Sequence, residues 1–374
     1  MNARPWIRTT LGQVLTLQRG FDLPTKKRKP GSIPIVSSSG ISGSHDEKKV
    51  TGPGVVTGRY GTIGQVFFID EDFWPLNTTL FIKDFKGNDP QFFSYILQTI
   101  DFQSHSDKSG VPGVNRNDLH KEEISIPLLT EQRAIAAALD DADALIIALG
   151  RLIAKKRDVK QGAMQELLTG KRRLPGFEKE WKYSTIRDVA IRFVNGGTPS
   201  TKNSDYWGGN IEWTTSAPLT SFYLDHGECT ISIDGLERST SNLIPKGNVI
   251  IATRVGIGKV VLNRIDIAIN QDLTGIILDK EIAAPEFFVW TLLWNKYTQL
   301  FASLSRGTTI KGIVKSELER ISIPLPSLDE QTAIATALSD MDAEIAALEA
   351  QREKAKQIKQ GMMQELLTGR IRLV

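Results

Sequence analysis

The chain is poor in the residues that staple small domains or hold metals. Of 374 residues only Cys229 is a cysteine, so no internal disulfide can form, and His45, His105, His120 and His226 show no metal-ligand spacing. Structural zinc is therefore excluded as a working idea. No apolar run approaches the roughly 18 residues needed to span a bilayer. Residues 1–12 lack the hydrophobic centre of a signal peptide, so the expectation is a soluble, cytoplasmic protein without membrane contact. Net charge is scarce as well: 46 Lys and Arg against 43 Asp and Glu leave +3, which argues against a purely electrostatic, histone-like binder. Catalytic signatures are missing too. The glycines of 58–64 are not followed by a helix, 256–259 lacks the phosphate-loop spacing, and neither a nucleophile elbow nor an acidic two-metal cluster occurs. No cofactor or metal is expected, and the chain reads as a binder, not an enzyme.

What is present is ordinary globular composition, 40% hydrophobic and 24% charged, in a length that suits two to three domains. It is also a duplication. Residues 131–174 recur as 330–373 with 26 of 44 positions identical. The preceding segments repeat more loosely in the same order. GVVTGRYGTIGQV at Gly54 answers GNVIIATRVGIGKV at Gly247, setting Arg59 opposite Arg254 and Gly61 opposite Gly256; Asn77 answers Asn270, and ISIPL at Ile124 answers ISIPL at Ile321. The division read from the repeat is a head (1–129), a helical spacer (130–177), a second head (178–326) and a second spacer (327–374).

In the spacers, Ile135, Leu139, Ala142, Ile146, Leu149 and Ile153 alternate steps of four and three, as do Ile334, Leu338, Met341, Ile345 and Leu348. This is the seam of a long amphipathic helix or coiled coil, about 38 residues each. Thr130 is the expected N-cap of the first, Ser327 with Glu330 a capping box for the second, and Gly170 and Gly369 the expected C-caps. Acidic residues crowd the first half of each helix and basic residues the second. That gradient suits each helix dipole and also an antiparallel pairing, acid against base, within one chain. Such a pairing implies pseudo-twofold symmetry with the heads at opposite ends. Gly162 and Gly361 interrupt both helices at equivalent places, either as relics of duplication or as points of kinking or close approach.

The heads mix short β-branched runs with Gly, Pro, Asn and Asp turns, and strands are expected at 33–36, 55–57, 65–69, 80–82, 211–214, 248–252, 259–262 and 274–278. Helices are expected at 90–99 and 285–300. The fold class is thus α+β: two mixed α/β domains separated by two long helices packed as an intramolecular antiparallel coiled coil. Trp207 and Trp213 are expected in the core. Polar and basic loop residues able to meet phosphates or base edges are Lys26, Lys27, Arg28, Ser38, Arg59, Tyr60, Lys108 and Arg116 in the first head. In the second they are Thr198, Lys202, Thr215, Arg254, Asn270, Gln271, Arg306 and Lys311. Candidate partner contacts on the repeated tails are Gln132, Gln161, Gly162, Gln331, Gln360 and Gly361.

Two divergent heads alternating with near-identical tails, the ISIPL–EQ–long-helix succession, the two QELLTG endings and the GGTPST…YWGGNIEWTTS opening of the second head resemble the specificity subunit of type I restriction-modification enzymes over essentially the whole length. The resemblance implies that the heads are target recognition domains, each reading one half of a split double-stranded DNA site. The helices would serve as spacer and dock for two modification (methyltransferase) subunits, with restriction subunits joining in some systems. It further implies no catalysis by the chain itself. By charge, residues 1–129 carry 15 basic and 13 acidic groups and residues 180–326 carry 15 of each. A reader this neutral is expected to draw much of its phosphate neutralisation from its partners. The alternative is a coiled-coil scaffold with two protein-binding heads, distinguished by failing to confer sequence-specific methylation.

Overall fold

The computed structural model describes residues 6–105, 113–304 and 312–373. Contacts divide the chain into two compact units: residues 1–151 with 349–374, and residues 152–348. Each unit therefore holds one head together with parts of both long helices, α1 (Leu129–Leu167) and α2 (Leu328–Leu366).

In the first unit a four-stranded antiparallel sheet runs Thr16–Arg19, Thr79–Asp84, Gly54–Gly58, Val66–Ile69. Beside it a three-stranded sheet joins Gly40–His45, Ile33–Ser37 and Trp74–Pro75. The second unit repeats and enlarges this plan. Its larger sheet runs Ala190–Asn195, Leu273–Leu278, Val249–Ala252, Val260–Asn263, Tyr223–Leu224, and its smaller one Cys229–Ile231, Trp207–Thr214, Ile267–Ile269, Asn242–Ile244. In each unit a short antiparallel pair, Ile7–Thr10 with Glu123–Ile126 and Lys182–Thr185 with Ser322–Leu325, ties the head's two ends together before the long helix begins.

The helix Pro90–Thr99 forms where the sequence places it. Pro90 occupies the first turn, where its missing N–H costs nothing, and the Asp89 carboxylate accepts from Phe92 N at 2.9 Å. Its buried Phe92, Phe93, Tyr95, Ile96 and Leu97 join Ile135 and Leu139 of α1 in one core. The single helix expected over 285–300 is instead two, Pro285–Leu293 and Asn295–Leu304, separated by an extended Trp294. The first is buried nearly all round, whereas the second buries only Tyr297 and Phe301. The bend lets the Tyr297 hydroxyl donate to Ser322 O at 3.0 Å.

Helix pairing follows the charge gradient. In the first unit Lys359 Nζ reaches Asp143 at 2.7 Å and Arg372 Nε reaches Glu131 at 2.6 Å. In the second, Lys160 meets Asp342, Lys156 Nζ meets Glu344 at 2.6 Å, and Arg173 Nε meets Glu330 at 2.5 Å. Partner numbers fall as residue numbers rise, which is antiparallel packing. Two capping expectations are corrected. α1 starts one residue before Thr130, with Leu128 O accepting from Glu131 N and Gln132 N at 3.0 Å each. Glu330 forms no capping box with Ser327, because its buried carboxylate is turned to Arg173 and to Trp181 Nε1 (3.0 Å). Gly170 and Gly369 close the helix ends at φ 70° and 71°, a conformation costly for any other residue.

Candidate nucleic-acid interface

The heads carry their polar loops where strands of the larger sheet end, and backbone bonds fix which residues correspond. After Gly58, the amides of Arg59 and Tyr60 both donate to Thr78 O; after Ala252, those of Thr253 and Arg254 both donate to Asp272 O. Val114 N donates to Arg59 O at 3.1 Å as Ile313 N donates to Thr253 O at 2.8 Å. Thr79 N donates to Leu76 O as Leu273 N does to Asn270 O. Arg59 is thus the counterpart of Thr253, Tyr60 of Arg254, and Asn77 of Gln271. The sequence pairing of Arg59 with Arg254 and Asn77 with Asn270 is off by one residue. Its cause is a glycine turn: the first left-handed glycine comes three residues after Gly58 (Gly61) but four after Ala252 (Gly256), which shifts the visible Arg-x-Gly match.

Arg59 and Arg254 consequently differ in setting. Arg59 is half-buried, its guanidinium 4.4 Å above the Tyr60 ring, with Nε donating to Val114 O and Nη2 to Tyr60 Oη, both at 3.3 Å. It holds the turn together. Arg254 is exposed on the rim of an open concavity of about 770 Å³ lined also by Asn195, Thr253, Gln271, Thr274 and Lys315. The floor needs glycine: a Cβ on Gly196 would sit 2.1 Å from Ile269 O, as one on Gly20 would from Leu76 O. Asn195 and Lys315 were not among the sequence candidates, nor were Arg19, Asp22 and Asn77 at the equivalent places of the first head. The signal that would have found them is position, at strand ends flanking paired glycines, since their residue types alone are unremarkable.

Other candidates fall into four groups. Lys26 and Lys27 are exposed on the short 3-10 helix Thr25–Lys27 and Lys202 on a turn, Arg116 is exposed at the start of the short helix Arg116–Leu119, and exposed Thr198 donates to Gln271 Oε1 at 2.6 Å. Ser38 lies beside Gly61, Arg28 Nε leans on Leu23 O at 3.4 Å, and Thr215 donates to Glu228 Oε2 at 2.6 Å. Asn270 is corrected from reader to turn-former: it is 3% exposed, its amide Oδ1 accepting from Asp272 N and its Nδ2 donating to Asp272 Oδ2. Lys108, Arg306 and Lys311 lie outside the described residues. Trp213 is buried, as expected, with Nε1 donating to Gly197 O and Ser241 Oγ, and half-buried Trp207 packs edge-on against it at 5.3 Å.

The tail candidates also divide. Gln132 and Gln331 are 1% and 0% exposed, which corrects the expectation that they face a partner. Gln132 accepts from Asp89 N and donates to Asn88 Oδ1 and Pro127 O; Gln331 accepts from Ala284 N and donates to Ile282 O and Pro326 O. Each glutamine bolts the start of a long helix to its head. Gln161, Gly162 and Gln360 are exposed and Gly361 half-buried, both helices run unbroken through the glycines, and a Cβ on either glycine would meet nothing within 4 Å. The repeated pairs Glu131–Arg372 and Glu330–Arg173 were missed. Their signal was the recurrence of an acid at the start and an arginine at the end of both tails. The Arg372 bond holds the Glu131 carboxyl below its ordinary range against the opposing effect of burial. Burial, with Arg116 and Lys86 nearby, lowers His120, whose Nε2 accepts from Leu17 N at 2.9 Å.

Among the described residues no His, Cys, Asp and Glu group could hold a metal ion, and no helix is long and apolar enough to cross a membrane.

Two heads on one backbone frame, with different side chains around the same rim and identical fastenings to the helices, define a duplicated recognition module. The chain belongs to the type I restriction modification DNA specificity domain family, whose model matches residues 4–156 and 178–360. It is 31% identical over 183 residues to the type I restriction enzyme MjaIX specificity subunit of Methanocaldococcus jannaschii, covering 48% of this chain and 42% of that protein. To the putative MjaX specificity subunit of the same organism it is 26% identical over 270 residues, covering 70% of this chain and 62% of the relative. The matches thus span about half of these relatives' lengths. In fold it is similar to the type I restriction-modification system S subunit from M. genitalium, with a TM-score of 0.66 at 16% identity over 98% of this chain and 97% of that one.

Proposed function

We propose that the chain is the non-catalytic, cytoplasmic DNA reader of a type I restriction-modification system. Its two heads bind the halves of a split double-stranded site and direct methylation by two modification subunits, and cleavage where restriction subunits join. The observation that carries this reading is a division of labour within the duplication. The fastenings Glu131–Arg372 and Glu330–Arg173, and Gln132 and Gln331, are the same in both copies. The rims differ, as two different half-sequences require. Exposed Lys26, Lys27 and Lys202 suit phosphate, and Arg254, Gln271 and Thr198 suit base edges. Gln161, Gly162, Gln360 and Gly361 remain the tail positions proposed for identical partners, and near-neutral heads leave those partners much of the phosphate neutralisation. Mapping methyl-adenine in the genome of a host carrying this chain with its modification partner tests the reading. A split motif with a fixed gap is expected. No motif, or one that persists when this chain is deleted, refutes it.

A further inference from the structure

Resting on that reading, we propose that a braced pair beside the strand-end glycines of each head, Asp22–Asn77 in the first and Thr198–Gln271 in the second, together with Tyr60 and its counterpart Arg254, sets which base each half-site requires at one position. The correspondence is fixed by backbone bonds and not by sequence likeness. Phe21 N donates to Pro75 O as Gly197 N donates to Ile269 O, and Asn77 and Gln271 each lie two residues after those acceptors. Asp22 and Thr198, one residue further along, each bond the amide of the facing residue: Asn77 Nδ2 donates to Asp22 Oδ1, and Thr198 Oγ1 donates to Gln271 Oε1 at 2.6 Å.

The two braced pairs lie just beyond strand ends, next to Gly20 in the first head and to Gly196 and Gly197 in the second, where an added Cβ would strike backbone or the Thr240 side chain, and Asp22, Thr198 and Gln271 are exposed. Their chemistry differs between heads in a directed way. A carboxylate can only accept, so Asp22 takes the Asn77 NH2 and leaves Asn77 Oδ1 outward. The first head thus offers two acceptors, which suit the exocyclic amino group of adenine or cytosine. In the second head a neutral hydroxyl takes the amide oxygen, leaving Gln271 Nε2 outward beside the exposed Arg254, a donor set that suits the O6 and N7 of guanine. Around these differing positions one feature is shared. Arg116 and Lys315 each begin a short helix two residues after the residue bonded to the Arg59 or Thr253 carbonyl, and both are exposed cations. They fit phosphate in either head, independent of sequence.

The test exchanges the braces in the full chain with its modification partner and maps methyl-adenine. Thr198→Asp with Gln271→Asn should change one base pair in one half of the motif, with relative methylation there shifting about tenfold or more, while the other half and the gap stay fixed. Asp22→Thr with Asn77→Gln should change one base pair in the opposite half. Unchanged motifs in both double variants overturn the proposal, as does a change that falls in the wrong half. Should a double variant give no methylation, Gln271→Asn alone alters an exposed side chain by one methylene, and an unchanged preference there overturns it too. If the unsubstituted chain yields no split motif, the reading of the chain as a DNA specificity subunit fails, a separate outcome.

Discussion

Replacing Gln331 by Ala tests whether this glutamine is internal mortar. Its side chain is fully buried, with Oε1 accepting from Ala284 N at 2.8 Å and Nε2 donating to Ile282 O and Pro326 O, both at 2.9 Å. Removing it strands one buried N–H, at about 2 kcal/mol, and leaves two carbonyls short of a donor, at about 1 kcal/mol each. The expected loss is therefore about 4 kcal/mol in the unit formed by residues 152–348, or a fall in its midpoint of about 10 °C for a unit of that size. Thermal and urea unfolding of the purified chain, without partners or DNA, measure it. The duplication supplies a control: Gln132→Ala should lower the stability of the other unit by a similar amount, since Gln132 makes the same kind of bonds to Asp89 N, Asn88 and Pro127 O. A Gln331→Ala chain that unfolds within about 0.5 kcal/mol of the unsubstituted one, yet no longer assembles with its modification subunit, would refute the reasoning and return Gln331 to the partner surface.

Two further outcomes follow from other sites. Arg254→Ala should weaken DNA binding by the assembled complex by about 1–3 kcal/mol and relax the base preference at one position of the second head's half-site, whereas Arg59→Ala, which removes a guanidinium occupied by Tyr60 and Val114, should leave that half-site's preference unchanged; an unchanged preference for Arg254→Ala would reject the contact. His120 is held below its ordinary pKa by burial and nearby cations, so its folded state favours the neutral ring. The stability this contributes is present above about pH 6.5 and is lost as pH falls from there through the lowered value. Unfolding followed from pH 8 to pH 5 should show that loss in the unsubstituted chain and less of it in His120→Gln. Identical profiles would rule the histidine out.

The sequence made the duplication, the long helices and their antiparallel pairing legible because each rests on periodic or repeated features: the apolar seam, the charge gradient and the QELLTG ending. Strand positions such as Gly54–Gly58 and Thr79–Asp84 were legible within a residue or two, since buried β-branched runs announce themselves. The rim was less so. Arg59 and Arg254 look equivalent because Arg-x-Gly occurs in both, but correspondence is decided by which amide meets Thr78 O or Asp272 O, a long-range fact that local resemblance misrepresents. The glutamines of the tails misled for a related reason. A repeated polar residue on a helix suggests a surface, and only the head's helix start packed over it turns Gln132 or Gln331 into a buried bolt. The break at Trp294 likewise answers to Tyr297 reaching Ser322 O, which the smooth run of helix-forming residues does not disclose.

The way the compact units are cut from the chain bears on how it is born. One is continuous, residues 152–348, while the other is completed only by residues 349–374 returning to the first 151. During synthesis from the N-terminus, the first head emerges early but lacks Lys359 and Arg372, the partners of Asp143 and Glu131, until the last turns of α2 and the residues after it are made. The second head, made later, has everything it needs sooner. The head synthesised first is thus the last to be sealed, and in the interval its half of α1 rests Ile135 and Leu139 on the head while its acidic flank awaits its basic partners.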